Sequence, residues 1–413
     1  MSTPTASIPD SISMARSPIF FTARNNSVAG DTLEFMSLDL RIYSGAFTTS
    51  GTDNYELEKN YSINNVINFE VSDLIRSEFY HDFSVWNDIG FTQSPQGEAL
   101  FVWGYGDWQY NNAGGGLVSG QWNQPEEEAP DQFITLDGWA TRDNIAPVAV
   151  SQLVLATSRD RQVLVGNYES LAINNSVAND LGAIRITWQG GATALLTNTG
   201  GGSTTPPNPS SNNSQDLVIY AGVGAANLEN NGNLPAEVKP SAQTNGGEGQ
   251  YYDVILLDGE DSPNEIGRVR YYVICEPKYD PVQVAFINRF GVADFITFFK
   301  RSDERGNFTQ DSYQKSIYND GFTTPSLEVG KYQSFNVNSR NTLTLNTGFV
   351  DQDYDETIED ILMSEYVAVY TNSNWVSAVP NRGTIEYQKS VNTKLINYTM
   401  SFDFGFDERS LVR

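Results

Sequence analysis

One cysteine and one histidine, Cys275 and His81, occur in 413 residues. A lone cysteine excludes an intrachain disulfide, so the chain does not ask for an oxidising compartment. The same scarcity leaves no zinc site of Cys and His ligands to expect. A Ser-His-Asp or Cys-His arrangement would have to be built on His81. Cys275 is followed by Glu276, an anionic neighbour that does not favour a thiolate. Basic residues are scarce as well. Lys and Arg number 25 against 51 Asp and Glu, for a net charge of -26 and a pI near 4.3. A surface this acidic repels phosphate backbones and anionic bilayers, so neither nucleic acid nor membrane is an expected partner. It suits solubility, basic protein partners or divalent cations. No apolar run approaches the length of a bilayer span. The start, MSTPTASIPDSISMARSP, lacks the basic and apolar regions of a secretory leader, and none is expected. Neither a G-x-S-x-G elbow nor a G-x-x-x-x-G-K-[ST] phosphate loop occurs. The expectation is a protein without catalytic residues and without a cofactor.

Aromatic residues are plentiful, with 21 Tyr, 22 Phe and 7 Trp. A chain of this length suits two or three domains. Residues 1–15 are rich in Ser, Thr and Pro and read as an N-terminal arm. From Arg16 short strand patterns follow one another. Leu38, Leu40 and Ile42 alternate with polar residues, and further strands are expected at 66–69, 133–136, 148–155, 162–165 and 183–188. Val71, Leu74, Ile75 and Phe79 have helical spacing. Residues 199–214, TGGGSTTPPNPSSNNS, read as a flexible, extended linker or as a long loop on one domain, and the main domain boundary is placed there. That makes 16–198 an N-terminal β-sandwich region, with an aromatic and glycine-rich insertion at about 101–130, and 215–413 a C-terminal β-rich domain. In the second half, 228–249 reads as an exposed polar excursion, and strands are expected at 216–220, 251–257 and 268–275. Residues 352–364 form the best helix, with Tyr354, Ile358, Ile361 and Leu362 on one face. Tyr398, Met400, Phe402, Phe404 and Phe406 share a face of the last strand. Many short strands, frequent turns and little helix predict an all-β chain. The expected form is two or more antiparallel β-sandwich domains with one or two short helices.

Three features compete as sites. The run FVWGYGDWQYNNAGGGLVSGQW at 101–122 brings together Trp103, Tyr105, Trp108, Tyr110 and Trp122. Flat rings with polar edges suit sugar rings and protein interfaces, and they equally suit a core strand followed by a glycine loop. Asp351, Asp353 and Asp355 open like a calcium loop. However, the sixth and twelfth places hold Glu356 and Leu362, where an EF-hand wants Gly and Glu, so the carboxylates read better as charges at a helix N-terminus. Gly222-Val223-Gly224 follows a strand, but Asn227 stands where a dinucleotide loop wants its third glycine, and a β-turn is expected there.

The most distinctive stretch runs from Cys275 to Arg301, CEPKYDPVQVAFINRFGVADFITFFKR. It reads as a half-buried strand with Val282, Val284 and Phe286 on one face, a turn at 288–291 with Gly291 free to take positive φ, and a second strand from Phe295 to Phe299. With SPIF at 17–20, Leu38–Gly45, VINFEVSDLI at 66–75, NTLTLNTGFVDQDYDETIEDILMS at 341–364 and KLINYTMSFDFGF at 394–406, this stretch resembles structural proteins of tailed bacteriophages, especially phages of Bacteroidota-type hosts. The resemblance implies a non-enzymatic β-rich tail, baseplate or neck component of the virion, assembled in the host cytoplasm in repeated copies against other virion proteins. Sheet edges and extended termini would supply added-strand contacts. Two alternatives stay open: a carbohydrate-binding tail-tip adhesin or fibre-attachment protein with a host surface glycan as ligand, and a head decoration or head-fibre protein.

Overall fold

The computed structural model describes residues 5–7, 12–24, 32–46, 54–60, 66–111, 114–122, 133–140, 152–175, 181–197, 203, 214–258, 264–276, 278–315, 331–382 and 396–407. Strands make up 54% of the structure, and the chain is all-β with short helices. It divides into two compact units. The first is Met1–Cys275 with Phe286–Phe295, and the second is Glu276–Ala285 with Ile296–Arg413.

The first unit holds two β-sandwiches. In the first of these, a three-stranded sheet runs β1 (Thr5–Ser7), β3 (Phe20–Arg24), β6 (Val66–Glu70). It faces a six-stranded sheet ordered β2 (Ile12–Met14), β10 (Phe133–Leu136), β8 (Ala99–Asn111), β4 (Thr32–Tyr43), β5 (Tyr55–Lys59), with β9 (Leu117–Trp122) also paired to β8. The alternation in β4 does what its spacing predicts. Met36, Leu38, Leu40 and Ile42 are buried and join Phe21, Ile67, Phe69 and Val102 in one apolar cluster. The helix expected after Val71 is α1 (Ser72–Arg76).

Two expectations fail in this sandwich. Residues 5–7 and 12–14 are not a frayed arm, because β1 pairs antiparallel with β3 and β2 pairs parallel with β10. Nor is 101–122 an insertion. β8 is the central strand, with β4 along one side and β10 and β9 sharing the other. Residues 123–130 of the expected insertion lie outside the described residues.

The second sandwich packs a five-stranded sheet on a three-stranded one. The larger runs β11 (Asp160–Val163), β17 (Glu265–Val273), β16 (Tyr251–Leu257), β13 (Ala183–Trp188), β14 (Thr193–Leu195). The smaller runs β12 (Ser170–Asn174), β15 (Val218–Gly222), β7 (Gly90–Gln93). This topology moves the domain boundary. β12 pairs with β15 and β13 with β16, so strands on both sides of 199–214 build the same sheets. Residues 199–214 therefore lie between strands of one sandwich and do not separate two domains; almost all of them are outside the described residues. The stretch 228–249 also differs from expectation. Leu234 and Val238 are buried in the core, and the Trp188 indole Nε1 donates to the Val238 carbonyl at 2.8 Å. A further short helix, α2 (Ala225–Asn230), follows Gly224 where the sequence suggested only a turn.

The second unit is built on a seven-stranded sheet with a helix. Its order is β19 (Ala293–Phe298), β18 (Val282–Ile287), β22 (Val367–Thr371), β23 (Asn374–Pro380), β24 (Ile396–Phe404), β21 (Tyr332–Val350), β20 (Asp303–Gln314). Of this sheet, Phe286–Phe295, spanning the end of β18 and the start of β19, counts with the first unit. β18 is buried along nearly its whole length and is not half-buried as expected. The turn after it forms as read, with Gly291 at φ +82° and its N–H donating to the Asn288 carbonyl at 2.9 Å. In β24, Tyr398, Met400 and Phe402 are buried, but Phe406 lies past the strand end and is exposed. Helix α3 (Tyr354–Met363) buries Tyr354, Ile358 and Ile361.

Candidate functional site

The aromatic run is largely folded inward. Trp103, Trp108, Tyr110 and Trp122 are buried and Tyr105 is half-buried. Trp108 and Tyr110 stack at 5.5 Å inside the first sandwich, and Phe21 lies 6.0 Å from Trp122 and 5.8 Å from Phe133. On the other face of β8, the Arg41 guanidinium sits 5.0 Å from the Trp103 ring and 5.4 Å from Tyr105. The glycines of the run make room for these rings. A Cβ on Gly104 would fall 2.6 Å from the Phe21 ring, and one on Gly120 would fall 2.3 Å from the Trp108 ring. Glycine in a strand interior marks such close approach. The five aromatic residues therefore pack in the core and sheet, and not as the exposed sugar or interface surface that the sequence left open beside a core strand.

The acidic candidates separate similarly. Asp351 and Asp353 are exposed, and the Asp355 carboxylate accepts a hydrogen bond from the Tyr398 hydroxyl at the start of α3. No group of three or more His, Cys, Asp or Glu converges among the described residues. At Gly222 and Gly224 an added Cβ would meet the Asp88 carbonyl oxygen at 2.0 Å and the Glu169 N at 2.3 Å. These glycines admit neighbouring backbone, which is a packing role and does not require a phosphate.

Sequence reading missed a buried ionic network in the first unit. The Arg161 Nε lies 2.6 Å from Glu169 Oε1, and its Nη2 donates to Asp294 Oδ1 at 2.6 Å and to the Phe295 carbonyl. Asn288 Nδ2 donates to the Leu155 carbonyl at 2.6 Å and to Asp294 Oδ2 at 3.3 Å. Burial works against the Arg161 charge, but Asp294 and Glu169 outweigh it and hold the guanidinium protonated well above its ordinary range. Burial drives the Glu169 carboxyl upward. Arg161 pulls it back, and Asp294, sharing the same cation, adds repulsion, so the net direction is up. A second cluster lies at Glu98. Its Oε1 accepts from the Tyr220 hydroxyl and from the Ala293 N–H at 3.0 Å, while Oε2 has no hydrogen-bond partner among the described residues. Burial pushes this carboxyl up to about 7, against the two donors that favour its charge. His81 serves a third cluster. Its Nε2 lies 3.1 Å from Asp137 Oδ2, and Arg16 clamps both Asp137 oxygens at 2.8 Å. Burial raises the Asp137 carboxyl, but Arg16 and then His81 hold it below its ordinary value.

Glu98 makes a pH-dependent contribution to stability. The unfolded chain releases this proton near 4.5 and the folded chain near 7. Below 4.5 the contribution is full, and it erodes as pH rises through the window, by on the order of 3 kcal/mol once pH exceeds 7. Glu98→Gln keeps an acceptor for Tyr220 and Ala293 and removes the titration. Thermal melts from pH 4.5 to 8 are expected to show a shallower decline in the variant and a higher midpoint at pH 8. Parallel curves would refute the assignment.

These three clusters each join segments of the first unit that are far apart in sequence. A surface depression bordered by Ile42, Tyr43, Ser44, Tyr80 and Gly97 carries a single charged group, Glu78, which accepts from the Tyr55 hydroxyl at 2.9 Å.

The second unit offers a different feature. All of β20 is exposed. Before Thr342, where its register with β24 begins, β21 pairs with β20 alone. Asp311–Gln314 with Tyr332–Phe335, and Asn307–Thr309 with Asn338–Arg340, therefore form a two-stranded ribbon. Phe308 is 77% exposed, Tyr332 70%, Phe335 49% and Tyr313 45%. Tyr313 and Phe335 touch edge to face at 5.6 Å. Phe308 and Tyr332 occupy one face of the ribbon, and Tyr313 and Phe335 the other, by the register of the strands. An isolated two-stranded ribbon is marginal in water, and exposed clusters of large rings mark contact sites.

No protein-family model matches the chain. No curated protein matches it either. Among solved structures, a chain titled "Marsupial T cell receptor" aligns over 91% of this chain and 98% of its own, at 10% identity and a TM-score of 0.16, a likeness too low to bear on fold or function.

Proposed function

We propose that this chain is a non-enzymatic structural protein of a tailed-phage virion, most consistent with a tail or baseplate component, that works through contacts with other virion proteins and copies of itself. One observation carries the reading: a polar-backboned β-ribbon with four exposed aromatic rings projects from the sheet of the second unit. Unpaired strand edges recruit further strands. The resemblance of 275–301 and 341–364 to phage structural proteins supplies the setting. The adhesin alternative loses its platform, since Trp103, Trp108, Tyr110 and Trp122 are buried.

Immunogold labelling of particles from a host producing the protein tests the reading. Label on the tail is the expected result. Label on the head would transfer the chain to a decoration role, and particles without label would end the virion proposal.

A further inference from the structure

We infer that the outer edge of β20 pairs antiparallel with the β20 edge of a second copy of this chain, about a two-fold axis at Phe308. The inference rests on the assembly reading above and names its partner. Three observations lead to it. First, β20 is twelve exposed residues, DERGNFTQDSYQ, without proline or an internal lysine. The register shift against β21 leaves two residues of β21 opposite Gln310, so β20 itself stays regular. Soluble proteins normally blunt such an edge with prolines, lysines or bulges. Among the described residues β21 is its one strand neighbour.

Second, the strand is complementary to itself. With Phe308 opposite Phe308 of the other copy, Arg305 falls opposite Asp311 and Asp303 opposite Tyr313. The two-fold axis repeats the Arg305–Asp311 pairing at both ends. Opposite charges directly across an antiparallel pair stabilise it, and aromatic pairs do so too. Third, the charge of the whole chain selects this place. Two copies at -26 repel. The described part of the ribbon instead sets Asp303, Glu304 and Asp311 against Arg305, Lys315, Lys331 and Arg340. It is a region where two copies can approach without that repulsion.

Sedimentation equilibrium of the full chain over a wide concentration range tests the pairing. The wild type is expected to dimerise reversibly. Phe308→Glu should abolish the dimer. Arg305→Asp, which sets carboxylates across from Asp311, should weaken it about tenfold or more. Arg305→Asp with Asp311→Arg should restore it. All these side chains lie outside both cores, and circular dichroism melts matching wild type would verify folding. A monomeric wild type, or a dimer indifferent to Phe308→Glu and to the charge reversal, would overturn the inference. Incorporation into particles separates the two levels. If the wild type is monomeric but Phe308→Glu still fails to enter particles, self-pairing falls and the assembly reading stands. A monomeric wild type with normal incorporation of the variant would remove both.

Discussion

Arg161→Met is expected to cost the first unit about 3–5 kcal/mol, the range for removing one partner of a buried ion pair. The reason is what stays behind. Arg161 is nearly inaccessible and is bonded to Glu169 and Asp294, whose side chains are 2% and 4% exposed. Without the guanidinium, both carboxylates must be buried without a counterion or take up protons. At pH 8 the melting midpoint should fall by roughly 10 °C. At pH 5 part of the loss should return, because Glu169 already titrates upward in the wild type through burial. Combining Arg161→Met with Glu169→Gln and Asp294→Asn should recover most of the stability at pH 8, since the cost lies in the uncompensated charge and not in the lost attraction. Differential scanning calorimetry at both pH values distinguishes this from a simple packing defect, which would show no pH dependence.

Trp108→Ala is expected to destabilise by about 3–5 kcal/mol, as emptying a buried aromatic site does. The ring stacks on Tyr110 at 5.5 Å, and Gly120 on the neighbouring strand leaves the space it fills. Chemical denaturation should show the whole effect at an unchanged slope. A surface platform would behave oppositely, with stability within about 0.5 kcal/mol of wild type and the loss confined to ligand binding.

Much of this fold is legible locally. The alternation at 38–42, the first part of that at 398–406, the turn closed by Gly291 and the apolar face of the helix at 354–363 all depend on residues within a few positions of one another, and all form. The aromatic run reads as an insertion and stays ambiguous in role, because a ring that fills a core and a ring that binds a ligand have the same composition. What decides the matter is Phe21, more than eighty positions away, lying over Gly104. The domain boundary misled for a related reason. A Gly, Ser and Pro segment looks the same whether it joins two domains or lies within one, and the pairings of β12 with β15 and β13 with β16 tell the two apart.

The ionic network left a faint trace. Asp294 interrupts the apolar run VADFITFF, and an acid within a buried strand requires a partner. Its partner Arg161 lies 133 positions away, beyond any local pattern. The ribbon was hidden by its polarity. Residues 303–314 lack a buried face and so lack the alternation by which strands are recognised.

The central claim is that the exposed β20 edge works as a protein contact. Phe308 replaced by a photoreactive phenylalanine analogue, in chains that are then assembled into particles and irradiated, tests it most directly. Covalent adducts between position 308 and another polypeptide of the particle are the expected result, with residues 303–314 of a second copy the leading target. Particles that contain the protein but yield no polypeptide adduct at that position would contradict it.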